Sequence, residues 1–311
     1  MSSLSTPASN PWLNFPSHSG LVPLGPHSLF LRTSGPPRLP SQPAVIIEAG
    51  LGGTSSEWVA VIRLLSKSVR VYSYDRAGYG KSKPLRSSSR PPTTKKRCEE
   101  LTNLLEKTGG GVLVREFLLM HGRGKVVGMC IVDSAVTRTK LPDSWPTLLG
   151  DKSYEEVVGL EENRVLSDRE WDEVKRDGEG SAETVDEEEK VMFECTREVN
   201  RRVKEGGRVL GDGRLSVLFC DESVDFGKIL SRAEEQGIGS EEAREELRVR
   251  LRDMSQVDER GQREHLGMSS RSRFVRADGT ARTHNAQFVR PEVVVEEVRW
   301  VLEPDGIEIK E

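Results

Sequence analysis

Apolar residues fall along this chain in short runs separated by Gly- and Pro-rich turns, and the runs alternate between two periods. Ala44-Val45-Ile46-Ile47-Glu48-Ala49 is nearly continuous, the pattern of a strand buried on both faces of a parallel sheet. From Ser56 to Ser66 the residues Trp58, Val61, Ile62, Leu64 and Leu65 recur at helical spacing, and 69–74 returns to strand character. Together these predict a β-α-β unit. Ser28-Leu29-Phe30-Leu31 predicts a short earlier strand, with the Pro-rich stretch 36–43 as a connection. Farther along, 95–107 predicts a helix with Leu101, Leu104 and Leu105 on one face, and 112–120 a second with Leu113, Phe117 and Met120 in register. Strands are expected at 126–132, 215–220 and 273–276, a charged helical stretch at 240–253, and an amphipathic helix at 291–302 carrying Val294, Val298 and Val301 on one side.

The alternation breaks once. The helices expected at 95–107 and 112–120 are separated by little more than Gly109-Gly110-Gly111, where an alternating α/β chain carries a strand. Residues 137–213 are acidic and helical in pattern, with a capping box at Ser167-Asp168-Arg169-Glu170 and a charge run from Glu183 to Glu189. This stretch reads as an inserted cap or lid. The plan is therefore a disordered tail at 1–20, a first half of the core at 21–136, the cap at 137–213 and a second half at 214–311.

Composition narrows the function classes. With 311 residues, 35% hydrophobic and 31% charged, the chain suits one large α/β domain with an insertion and a solvated periphery. A net charge of −4 implies no broad basic surface for nucleic acid, and Lys95-Lys96-Arg97 reads as a solvated helix end. The Ser- and Pro-rich start, residues 1–19, has no signal-peptide pattern, no apolar run reaches membrane-spanning length, and Ile309-Lys310-Glu311 is no peroxisomal address. An intracellular, cytoplasmic protein is expected. Cys98, Cys130, Cys195 and Cys220 form no C-x-x-C pair, which disfavours a zinc site or a disulfide framework, and Cys130 and Cys220 read as buried small hydrophobes. Neither metal nor cofactor is expected: the carboxylates of 183–189 suit a solvated helix face better than an ion, and Gly50-Leu51-Gly52-Gly53 lacks the Gly-Lys-Ser/Thr ending of a phosphate loop.

Three segments resemble the α/β-hydrolase fold family, and the likeness runs from Ala44 to Leu302, thinning in the cap. Val45 to Gly53 followed by Trp58 looks like the family's strand and oxyanion loop, with Ala49-Gly50 where His-Gly is usual; the resemblance makes the Leu51 N–H an oxyanion donor. Asp75-Arg76-Ala77-Gly78-Tyr79-Gly80-Lys81-Ser82 matches the D-x-x-G-x-G-x-S turn, in which Asp75, Gly78 and Gly80 have a structural role. Thr283-His284-Asn285-Ala286-Gln287 before Pro291-Glu292 stands where the family keeps its catalytic histidine. The resemblance is closest to fungal hydrolases of secondary-metabolite and toxin clusters. It implies a mostly parallel sheet flanked by helices, with an inserted helical cap.

Hydrolases of this fold present a serine in G-x-S-x-G at a strand-to-helix turn, and no serine of this chain has glycines at that spacing. The gap near Thr108 and Gly109 lies where the nucleophile-bearing central strand and elbow should be. A deletion or a mis-spliced gene accounts for it most simply, and it would leave neighbouring strands with open ladder edges. By resemblance His284 is the ancestral general base. Asp225 is preferred as the triad acid over Asp221, with Asp133 a third candidate whose stronger reading is a strand-end residue bonding the cap. His18, His27, His121 and His265 read as structural, the last two at surfaces or helix ends. The expected function is that of an ancestral serine hydrolase, esterase- or thioesterase-like, acting on a small apolar carbonyl substrate, and inactive in this form. The alternatives are a non-catalytic hydrolase-like protein that binds a ligand or partner, and an epoxide hydrolase-type relative with an aspartate nucleophile.

Overall fold

The computed structural model describes residues 10–39, 42–83, 93–108, 115–134 and 140–303. Gly109-Gly110-Gly111, the expected helix start at Val112, most of the loop 87–94 and the residues after Glu303 lie outside them. Two compact units divide the chain, one of residues 1–127 and 166–213, the other of 128–165 and 214–311. The residues expected as a cap are shared between the two.

The first unit holds a four-stranded sheet in the order β1-β2-β4-β3, with β1 Ser17–Pro23, β2 Ser28–Ser34, β3 Val45–Ile47 and β4 Val71–Tyr74. β1 and β2 form an antiparallel hairpin, β4 joins β2 antiparallel, and β3 lies parallel to β4 with Ile46 opposite Tyr72. The helix Val59–Leu65 completes the expected β-α-β unit, and Leu29, Leu31, Leu65, Val71, Tyr72, Leu101 and Leu104 form the core.

The described part of the expected tail, residues 10–20, is ordered. Asn10 caps the short helix Pro11–Asn14 by accepting the Trp12 N–H, and β1 follows at Ser17. Long-range contacts cause this. Arg70, 2% exposed, gives its guanidinium to the carbonyls of Trp12, Phe15 and Gly35 at 2.6, 2.6 and 2.8 Å, and the Tyr72 hydroxyl donates to Trp12 O at 3.0 Å. A buried guanidinium needs several acceptors to offset its desolvation, and the N-terminal carbonyls supply them.

The second unit holds a sheet of order β5-β6-β7, with β5 Gly128–Val132, β6 Gly211–Phe219, whose first residues belong to the first unit, and β7 Ser269–Arg276. β5 and β6 run parallel, Val132 opposite Leu218. Leu215, Val217, Leu218 and Phe219 are buried, as the continuous apolar run predicted. β7 starts four residues ahead of the expected Arg273 because Ser-Ser-Arg-Ser carries no apolar signal. An outer strand needs little: Arg273 is held by the buried Glu297 at 2.6 Å. Among the described residues, β3 ends the first sheet and β5 the second, each with one ladder edge that no strand covers. No described helix is long and apolar enough to cross a membrane.

Candidate active site

The Gly-rich turn after β4 is organised by Asp75, whose side chain is fully buried. Its Oδ1 accepts the Ser55 N–H at 2.7 Å and Oδ2 the Lys81 N–H at 2.9 Å, while its carbonyl takes the Ser82 hydroxyl at 2.6 Å. Burial pushes the carboxyl above the ordinary carboxylate range, although these hydrogen bonds pull the other way. Gly78 and Gly80 have φ of +81° and +47°, and a Cβ on Gly80 would stand 2.6 Å from Asp75 Oδ2, so glycine is required both for backbone and for space. Arg76 runs back under the loop at 50–53, donating to Ala49 O, Gly50 O and Glu48 at 2.6, 2.7 and 2.8 Å. Leu51 sits on that loop, 38% exposed.

Arg97, expected on a solvated helix end, is buried instead, donating to Ala77 O at 2.8 Å and to Glu188 at 3.3 Å. Glu188 in turn leaves the solvated face expected of its run. Two cations near one turn recruit it.

In the second unit, several polar side chains converge at the end of β5. Asp133 follows Val132 with φ +44°, a left-handed conformation that Asp tolerates better than most residues, and its N–H bonds Leu218 O at 2.8 Å. The side chain is buried. Oδ1 accepts the Cys220 N–H at 3.0 Å and Gln262 Nε2 at 2.8 Å, and Oδ2 lies 2.8 Å from His284 Nδ1. Burial alone would raise this carboxyl. The bonds from His284, Gln262 and the Cys220 amide outweigh it and hold Asp133 below the usual range.

The two aspartates preferred from the sequence face other parts of the histidine loop. Asp225, fully buried in the helix Ser223–Gln236, accepts the Thr283 hydroxyl at 2.8 Å and the His284 backbone N–H at 2.9 Å, both on Oδ2. Tyr154, whose hydroxyl is 3.5 Å from the same oxygen, accepts from Asn285 at 3.2 Å. Asp221 pairs with Arg282 at 2.6 Å. Three carboxylates thus fasten three consecutive residues: Asp221 holds Arg282, Asp225 holds Thr283 and the main chain of His284, and Asp133 meets the imidazole. The His284 side chain is 41% exposed.

Gln262 and Tyr154 were not legible as site residues. A Gln in a charged helix and a Tyr in a cap segment carry no local signal, and only the fold brings them here. His265, expected at a surface or helix end, is buried, with Nε2 2.8 Å from Ser134 O. Cys220 is buried and Cys130 half-buried; burial, with the nearby Glu297 carboxylate, pushes the Cys130 thiol up to about 12. Among the described residues no group of His, Cys, Asp or Glu is arranged to hold a metal ion.

The two buried aspartates should respond oppositely to acid. Asp133 has a folded pKa below its unfolded value of about 3.9, so its contribution is complete above that value and is lost as pH falls through the folded one. For Asp225 burial outweighs the bonds from Thr283 and the His284 amide and raises the carboxyl, so the folded state gains stability as pH falls through that raised value toward about 3.9. In urea titrations across the acid range, Asp133→Asn is expected to flatten the loss of stability below about pH 4. Asp225→Asn is expected to remove a gain above about pH 4. Equal effects of the two substitutions on both limbs would refute the assignment.

No protein-family model matches the chain. It is 29% identical over 303 residues to an "AB hydrolase superfamily protein" of Gibberella zeae, covering 89% of this chain and 92% of that one. It is 28% identical over 314 residues to the "Probable transporter efuK" of Hormonema carpetanum, covering 94% of this chain but only 44% of that protein's length. Among solved structures, Cfl2 of Burkholderia cenocepacia matches with a TM-score of 0.60 at 14% identity, over 93% of this chain and 96% of that one. The enol-lactonase of Burkholderia xenovorans matches with a TM-score of 0.50 at 16% identity, over 91% and 99%. Likeness at such identities concerns the fold, and it agrees with the parallel β5–β6 pair and the β-α-β unit of the first sheet. This chain is a protein of the α/β-hydrolase fold.

Proposed function

We propose that the chain descends from a serine hydrolase whose general base is His284 and whose acid is Asp133, and that it no longer turns over substrate. The observation that carries this reading is the 2.8 Å contact between His284 Nδ1 and a buried carboxylate whose other oxygen already accepts two bonds. Such an acid is fixed in direction. It holds the imidazole in the tautomer that leaves Nε2 as the base and stabilises the imidazolium formed when a nucleophile gives up its proton. In the ancestral reaction a serine would attack an ester or thioester carbonyl of a small apolar molecule, with the Leu51 N–H as one oxyanion donor. No cofactor enters that chemistry.

The chain is too short at this point for a nucleophile-bearing strand. Only residues 109–114 separate the helices Thr94–Thr108 and Arg115–His121, and no serine stands in G-x-S-x-G. A strand of about 5–6 residues with an elbow at its end does not fit in that space. Purified protein incubated with short p-nitrophenyl esters is expected to match its His284→Ala variant. Turnover that disappears on His284→Ala would instead mean that another side chain serves as the nucleophile.

A further inference from the structure

The helix Thr94–Thr108 buries Leu101, Leu104 and Leu105 in the first unit, and on the same helix it buries the carboxylate of Glu100. Glu100 is 6% exposed, and His27, from the turn that joins β1 to β2, is 8% exposed beside it. Polar groups buried this far ordinarily keep a hydrogen bond, because otherwise they lose their hydration without compensation. These two go without. His27 Nε2 stands 3.5 Å from Glu100 Oε1, and among the described residues no hydrogen bond reaches either ring nitrogen or either carboxylate oxygen. Arg97 Nη1 lies 3.6 Å from Glu100 Oε2, but its guanidinium donates to Ala77 O and Glu188 instead.

The surroundings decide which protonation state the imidazole can hold. Its own hairpin offers no partner, since residues 19–31 contain no other titratable side chain. The helix brings Lys96, Arg97 and Glu100, with Lys107 donating to Pro23 O at the foot of the turn, and Glu188 reaches Arg97 from the helix Ala182–Gly206. Burial, then the charges of Lys96 and Arg97, hold the imidazole below the ordinary histidine value. Burial also raises the Glu100 carboxyl, although Arg97 and Lys96 pull it the other way, so acid weakens the one counter-charge at hand. A second proton on His27 would bring a third cation to this place and leave a new ring N–H without an acceptor.

The turn sits where its release has a consequence. Ser28 O accepts the Lys83 N–H at 3.0 Å, and the Phe30 N–H donates to Ser82 Oγ at 2.7 Å, so β2 starts against the residues that close the turn at 75–82.

We propose that His27 is an acid-operated release for the turn at 24–27: protonation drives the imidazole off the helix Thr94–Thr108 and into water, freeing this end of the β1–β2 hairpin while the rest of the first unit stays folded. The release stands apart from the catalytic reading, because none of its groups takes part in that chemistry. With the folded pKa below the free value of about 6.5, the turn is fully held above that value, and the hold is lost as pH falls through it toward the folded one.

Two measurements on the full chain test the release. In an NMR titration, the ring resonance that disappears in His27→Gln should have its midpoint below about 6.5. Amide hydrogen exchange, corrected for its intrinsic dependence on pH, should rise about tenfold for residues 24–30 between about pH 7 and about pH 5, while the helix Val59–Leu65 is unchanged. His27→Gln should abolish that rise. An imidazole that titrates at or above about 6.5 would be welcome inside as a cation and would overturn the proposal, as would turn amides indifferent to pH. A rise that persists in His27→Gln would place the proton on another group and overturn it equally. Should that variant fail to fold, the exchange of the unaltered chain decides alone.

Discussion

Replacing Asp75 by alanine is expected to cost the first unit about 3–5 kcal/mol, read as a fall in its urea midpoint with little change in slope. The reason is what the substitution strands. Asp75 is fully buried, and its two oxygens are the acceptors for the amides of Ser55 and Lys81. Each buried donor left unmade costs about 1–3 kcal/mol, and two are stranded together. Against a total stability of about 5–15 kcal/mol, such a loss can unfold the unit. Asp75→Asn should cost less, about 2 kcal/mol, because one amide keeps an oxygen while the new NH2 opposes the other donor. Burial also raises the Asp75 carboxyl, so the native side chain holds its charge at some cost, and the asparagine avoids it. An alanine variant as stable as the native chain would show that water reaches these amides. The turn would then be less closed than the contacts imply.

This turn was the most legible part of the chain, and the reason is physical. Asp75, Gly78 and Gly80 act through bonds and backbone angles within a few residues of each other, so their spacing records their geometry. The apolar run of β6 was legible for a related reason: residues 215–219 are buried on both faces, which demands a nearly continuous apolar sequence. What escaped was long-range. The segment just before β1 is held by Arg70, more than fifty residues farther along the chain, and β1 itself, Ser-His-Ser-Gly-Leu-Val-Pro, carries little apolar signal. The histidine loop shows the limit most clearly. His284 was placed by its surroundings in sequence, but three acids stood within plausible reach, and composition could not rank them. Asp225 and Asp221 follow β6, where the resemblance pointed. The imidazole turns to Asp133 because residue 133 takes a left-handed φ at the end of the neighbouring strand, and Gln262 and the Cys220 amide hold its carboxylate there. None of those causes leaves a mark in the residues beside Asp133.

Restoring an elbow tests the division of labour among the three acids. About a dozen residues, a Val- and Ile-rich strand followed by G-x-S-x-G, inserted after Thr108 should raise ester hydrolysis by about 10³-fold or more over the unaltered chain, if the His284–Asp133 pair is the working remnant of a triad. In that background His284→Ala should abolish the gain. Asp133→Asn should lower kcat by about 10³–10⁴-fold, because an amide beside Nδ1 favours the wrong tautomer while preserving the shape of the site. Asp221→Ala breaks the pair with Arg282, half exposed on the arginine side, and the bond from the Ser223 hydroxyl, neither of which touches the imidazole, and is expected to matter little, within about threefold. Asp225→Ala lies between them. It frees the Thr283 hydroxyl and the His284 amide, so it should loosen the loop and lower kcat by about tenfold or more without shifting the acid limb of the pH profile. The order of losses is the decisive quantity. A restored enzyme that tolerates Asp133→Asn and fails on Asp225→Asn would place the acid after β6, and the contact to Asp133 would then belong to a resting arrangement of the loop.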